Sequence, residues 1–166
     1  MIPNIGVIAL AALVPMIMGF IYYNPKVVGT AWMKASGVTE EKMKGANMGV
    51  IFGVSLLLSF LLAFLVFPMV VHQSAMYSLM ANEPGFGVEG SDTMNALNEL
   101  MAQYGSNFRT FKHGAFHGVI IGLFVVFPIM GTNNLFERRP FKLTMINTGY
   151  WTITIALMGG IVCQWA

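Results

Sequence analysis

At 166 residues, 56% apolar and 10% charged, the chain leaves no room for a soluble catalytic domain or a nucleotide-binding fold beside a membrane part. Its net charge of +2 comes from loop lysines and arginines, so no nucleic-acid partner is called for. The single cysteine, Cys163, excludes an internal disulfide framework.

The first apolar run, Ile5 to Tyr23, follows an N-terminus without Lys or Arg. No small-x-small cleavage pattern lies near its end, so it reads as a retained span and not a cleaved signal. Asn24-Pro25 then supplies a cap followed by proline at the first helical position. This predicts a short interfacial helix through Trp32 that ends at Gly37. Thr39, followed by Glu40 and Glu41, reads as a second cap with acids in the first turn, so the second helix is expected to begin well before the membrane. Gly49 to Val71 is the second span.

The connection over 72–112 is too long to be structureless. Asn82 to Gly90, rich in Gly and Pro, reads as a turn. Ser91 to Tyr104 places Met94, Leu97, Met101 and Tyr104 on one helical face, predicting an amphipathic surface helix closed by Gly105. Gly114 to Leu135 and Leu143 to Trp165 are the third and fourth spans. Each of the four runs approaches or exceeds the roughly 20 helical residues that cross a hydrocarbon core about 30 Å thick, with no Asp, Glu, Lys or Arg inside. The expected fold is all-α: one membrane domain over 1–166, a bundle of four transmembrane helices with an interfacial helix in the first connection and an amphipathic helix in the second.

Charge in the connections sets the expected orientation. Lys26, Lys34, Lys42 and Lys44 lie in the first connection and Arg138, Arg139 and Lys142 in or beside the third, against only Arg109 and Lys112 in the second. By the positive-inside rule the first and third connections face the cytoplasm, while both termini and the 72–112 loop face outward.

Several residue patterns bear on chemistry. Glycine recurs at every fourth position twice, at Gly45, Gly49 and Gly53 and at Gly114, Gly118 and Gly122. Small residues on one face let helix backbones approach closely in lipid, within one chain or across a homo-oligomer seam. His113 and His117 are one helical turn apart, which is metal-ligand spacing, and the topology brings His72 and Cys163 to the same end, with Met69, Met76 and Met158 able to approach. Imidazole with thiolate or thioether ligands suits zinc or copper. The plainer alternative leaves these histidines at the interface, hydrogen-bonded to carbonyls and lipid headgroups. In the third connection, Asn133, Asn134, Glu137, Arg138 and Arg139 can hold an anionic headgroup, or equally can cap a helix end and pair with one another. Asn147 and Tyr150 are placed to bond across the bundle, and Pro15, Pro68 and Pro128 predict kinks.

Two stretches taken together resemble a known family. They are Tyr22-Tyr23-Asn24-Pro25 with Gly29 and Trp32, and Asn134-Leu135-Phe136-Glu137-Arg138-Arg139 with Ile146-Asn147, Gly149-Tyr150 and Met158-Gly159. The chain resembles, over nearly its whole length, the bacterial membrane family catalogued as domain of unknown function 1761 (DUF1761). The resemblance implies a small four-span protein of bacterial cytoplasmic membranes, with a shared role for Asn24, Pro25, Trp32, Asn134, Glu137 and Arg138, and it implies no activity. The histidine pair is outside the shared pattern.

Three functional readings follow. The leading one is a protein without catalytic activity or cofactor, surrounded by membrane lipids and assembling with itself or with a larger membrane complex. The second is a transporter or sensor of a metal ion or small solute that uses His72, His113 and His117. The third is a lipid- or quinone-directed membrane enzyme, for which His117 is the one titratable candidate within a span.

Overall fold

The computed structural model describes the backbone of residues 1–166 and every side chain except that of Glu40. Helix accounts for 77% of it, with no strand among the described residues. Four helical stretches are long and apolar enough to cross a membrane: Ile5–Tyr22, Met48–Val70, Phe111–Phe136 and Phe141–Trp165.

The first span is two helices, α1 (Ile5–Ala11) and α2 (Val14–Tyr22). Asn4 caps α1, its side chain accepting the Gly6 and Val7 amides at 3.0 and 3.3 Å. Pro15 has no amide proton for the Ala11 carbonyl, so the chain turns at Ala12 and Leu13 before resuming as α2. Asn24 then caps a π-helical turn, Pro25–Gly29, which runs into α3 (Thr30–Ser36). Gly29 permits that turn, because a Cβ there would overlap the Tyr23 carbonyl. Gly37 ends α3 at φ 73°, a left-handed conformation that costs glycine nothing.

Thr39 caps α4 (Glu40–Lys44) as expected, but α4 does not continue into the second span. The chain breaks after Lys44, and the Asn47 side chain accepts the Val50 amide at 3.1 Å to start α5 (Met48–Val70) afresh. The second connection forms a helical hairpin of α6 (Gln73–Met80) and α7 (Asp92–Tyr104). Ser91 caps α7 and Leu97 on its apolar face is fully buried, as the periodicity predicts. The third span is α8 (Phe111–Ile121), a π-helical turn over Gly122–Val126, and α9 (Phe127–Phe136). The widened turn precedes Pro128, whose ring cannot fit against an undistorted preceding turn. The fourth span is one unbroken helix, α10 (Phe141–Trp165).

Helix α10 is the hub. Burial reaches 56% of its most apolar stretch against 22% in each other span, so the other three pack around it and turn apolar faces such as Phe20, Leu57 and Phe124 outward, where lipid is the matching solvent. The core joins Ile8 and Ala11 of α1, Ala63, Val66 and Val70 of α5, Ile121 of α8, and Ile155, Met158 and Val162 of α10.

The two glycine stripes differ. Gly114, Gly118 and Gly122 lie directly on α10, and a Cβ on any of them would overlap Gly159, the backbone at Ile155 and Ala156, or Thr152 respectively. Gly45 falls in the break before α5, and Gly49 and Gly53 are exposed, with no atom within 4 Å of a Cβ built on Gly53. That second stripe does not seat another helix of this chain.

Candidate metal centre

His72 reaches its position because α5 ends sharply. Val71 adopts extended backbone (φ −105°, ψ 93°), and the chain re-enters helix at Gln73 with His72 at the corner. The corner is held by the buried Gln73 side chain, whose amide donates to the Tyr104 and Asn107 carbonyls at 3.0 and 2.8 Å. His113 and His117 come from the first two turns of α8, which starts where the Thr110 hydroxyl accepts the His113 amide at 3.2 Å. Phe108, at φ 61°, turns the chain into α8 and lays its ring 5.8 Å from the His72 ring and 4.9 Å from that of His113.

The three imidazoles converge. One ring nitrogen from each of His72, His113 and His117 lies within 4.8 Å of the other two, and the ring centroids are 4.9, 5.0 and 4.6 Å apart. The Nε2 atoms of His72 and His113 are 2.7 Å apart, so one donates a hydrogen bond that the other accepts. Two imidazole nitrogens on a tetrahedral metal, each about 2.0–2.1 Å from it, stand roughly 3.3 Å apart. The present spacings, 2.7 Å for one pair and at most 4.8 Å for all three, bracket that value. His72 is exposed and the other two are half-buried, so the cluster is open on one side. Three neutral nitrogen donors leave a divalent ion its full charge and at least one position for water or another ligand.

Cys163 does not join the cluster. Its buried Sγ lies 3.2 Å from the Val70 carbonyl and 3.3 Å from that of Phe108, sharing one S–H between the segments that deliver His72 and His113. Met158 is fully buried in the core. The nearby chain is clamped to the end of α10, with the Phe111 amide donating to Gln164 Oε1 at 3.0 Å and the Arg109 guanidinium donating to the Ala166 carbonyl. Thr110 and Phe108 also shape the site. A threonine three residues before His113 is a readable cap signal, whereas a phenylalanine at positive φ leaves no such trace.

The residues carrying the family likeness gather at the opposite end. Asn24 and Pro25 build the π turn that returns Trp32 to within 5.4 Å of the Tyr23 ring. Tyr23 Oη donates to Asn147 Oδ1 at 3.0 Å, Tyr22 Oη to the Ile146 carbonyl at 3.0 Å and Tyr150 Oη to the Pro15 carbonyl at 2.7 Å. Asn134 donates to Thr144 Oγ1 at 2.8 Å, tying α9 to α10. Glu137 pairs at 3.5 Å with Arg139, whose guanidinium also donates to the Ser36 carbonyl, so the first and third connections meet. Arg138 takes a left-handed backbone at φ 54° after α9.

A four-span membrane bundle with an imidazole cluster at one end and an aromatic, basic cluster at the other is the class of protein that fold and site define. The chain belongs to the family described as Protein of unknown function (DUF1761), whose model matches residues 7–163. No curated protein and no solved structure matches it.

Proposed function

We propose that this protein is a multi-pass protein of the bacterial cytoplasmic membrane that holds a transition-metal ion, of the zinc or copper class, at His72, His113 and His117 on the outer face, and acts as a sensor or metal-holding subunit without catalysis of its own. The convergence of three imidazole nitrogens within 4.8 Å of one another carries this reading. Basic residues concentrated in the first and third connections support the outward placement of the cluster. Holding fits better than conduction, since Asp, Glu and Arg are absent from all four spans, Lys112 and Lys142 stand at the very ends of theirs, and the only histidines within them are His113 and His117. The test is zinc titration of the chelator-stripped protein in mild detergent. One ion per chain is expected, with His113→Ala and His117→Ala each losing at least about tenfold in affinity. Lack of stoichiometric binding would remove the reading.

Assembly with itself or with a larger membrane complex is a second reading, favoured by Gly49 and Gly53, which open outward along α5 where a second helix can approach closely. Native mass spectrometry in mild detergent tests it: a species that is strictly monomeric and free of partners counts against it.

A further inference from the structure

Toward the basic end, α2, α5 and α10 part to leave a groove of about 620 Å³, inside the range of about 300–1,000 Å³ typical of small-ligand sites. Its walls are apolar and open sideways: Phe20 and Leu58, both on the rim, are 67% and 59% exposed. Its floor carries Ser59 and the Tyr150 ring, and its mouth is framed by Tyr23, Trp32 and Met48. A groove that opens through the flank of a membrane-spanning bundle meets hydrocarbon, so an apolar chain lies along it. Trp and Tyr at the mouth are the side chains that sit at the level of lipid headgroups.

Charge at the mouth distinguishes among lipids. Tyr23 precedes the π turn, which carries the exposed Lys26, Trp32 shares α3 with the exposed Lys34, and Met48 opens α5 after a three-residue break from α4, which carries Lys42 and Lys44. Arg138, Arg139 and Lys142 belong to the same end, where Arg139 touches Ser36 beside α3. By sequence the same connections hold three acids against these seven cations, Glu40, Glu41 and Glu137, and Glu137 is already paired with Arg139. Basic clusters beside grooves between membrane helices attract anionic headgroups at about 1 kcal/mol per Lys or Arg near the surface. The groove is also built and not incidental. The Asn24-capped turn positions Trp32 over Tyr23, and the absence of a side chain on Gly149 admits the Tyr22 hydroxyl, which holds α2 against α10.

We propose that this groove is a binding site for one anionic phospholipid, its acyl chain along the Phe20–Leu58 wall and its phosphate among the lysines that follow Tyr23 and Trp32. Neither the metal site nor the proposed function is needed for this assignment.

The experiment is native mass spectrometry of the full-length chain in mild detergent, with dioleoyl phosphatidylglycerol or dioleoyl phosphatidylcholine added. One phosphatidylglycerol molecule is expected to be retained at least about tenfold better than phosphatidylcholine, the factor given by 1.4 kcal/mol. Ser55 lines the groove one helical turn from Ser59, and Ser55→Phe, which fills it, is expected to abolish retention of both lipids. Lys26→Gln combined with Lys34→Gln, which changes only exposed side chains, is expected to keep chain binding and lose the preference. Equal retention of the two lipids by the parent overturns the proposal, as does undiminished retention by Ser55→Phe, or a second copy of the chain bound in place of lipid. Should Ser55→Phe fail to fold, the double lysine variant decides: an unchanged preference for phosphatidylglycerol overturns the assignment of the phosphate to these lysines.

Discussion

The Cys163 thiol sits between the carbonyl two residues before His72 and the carbonyl five residues before His113, a bridge between the two segments that build the imidazole cluster. A serine there still donates a hydrogen bond, and an alanine does not. Cys163→Ala is therefore expected to weaken zinc binding by about 1 kcal/mol, roughly fivefold, with Cys163→Ser closer to the parent, as zinc titration will show. The glycines give a prediction of opposite signs. A Cβ on Gly118 meets the α10 backbone, so Gly118→Ala is expected to destabilise by about 1–3 kcal/mol. A Cβ on Gly53 meets nothing within the chain, so Gly53→Ala gains about 0.5–1 kcal/mol of helix propensity. Thermal unfolding of both variants in the same detergent measures the contrast, and a Gly53→Ala loss would signal a partner helix on that face.

Among the elements, those with a strong local signal were legible from sequence and those without one were not. Ser91, Thr39, Asn24 and Gly37 punctuate their helices as their chemistry dictates, because a cap is satisfied within a few residues. Helix α6 has no such signal: His72 precedes it without a side-chain cap, and its place comes from Gln73 bonding to carbonyls at and just past the end of α7. The break between α4 and α5 differs from the sequence expectation, since Thr39 starts a helix but does not determine how far it runs, and Asn47 restarts it. Ser91→Ala removes the bond to the Met94 amide and is expected to cost about 1 kcal/mol. Hydrogen exchange should show faster amides confined to the first turn of α7, because buried Leu97 still anchors the rest.

For the whole molecule, a metal that binds only the folded state stabilises it by about 2.7 kcal/mol at a concentration of 100 Kd. Only neutral imidazole ligates, so protons compete with the ion. The stabilisation is therefore largest at neutral to mildly alkaline pH and falls as the solution is acidified. Thermal unfolding with and without zinc is expected to show a clear shift at about pH 7.5 that shrinks on acidification and is smaller in His117→Ala. Sequence alone determined the four spans, because crossing hydrocarbon requires long uncharged helices, and it determined which connections carry the cations and where Asn24 and Thr39 start their helices. It also placed His113 and His117 on one face, since their spacing matches one helical turn. Only tertiary structure decided that His72, 41 residues before His113, completes the cluster and that Cys163 braces it from behind. It alone decided that one glycine stripe seats α10 while the other opens outward, and that the Tyr-Asn-Pro turn frames a groove. Those outcomes depend on how α5, α8 and α10 pack, and packing across distant segments leaves no periodicity or spacing in the chain from which to read it.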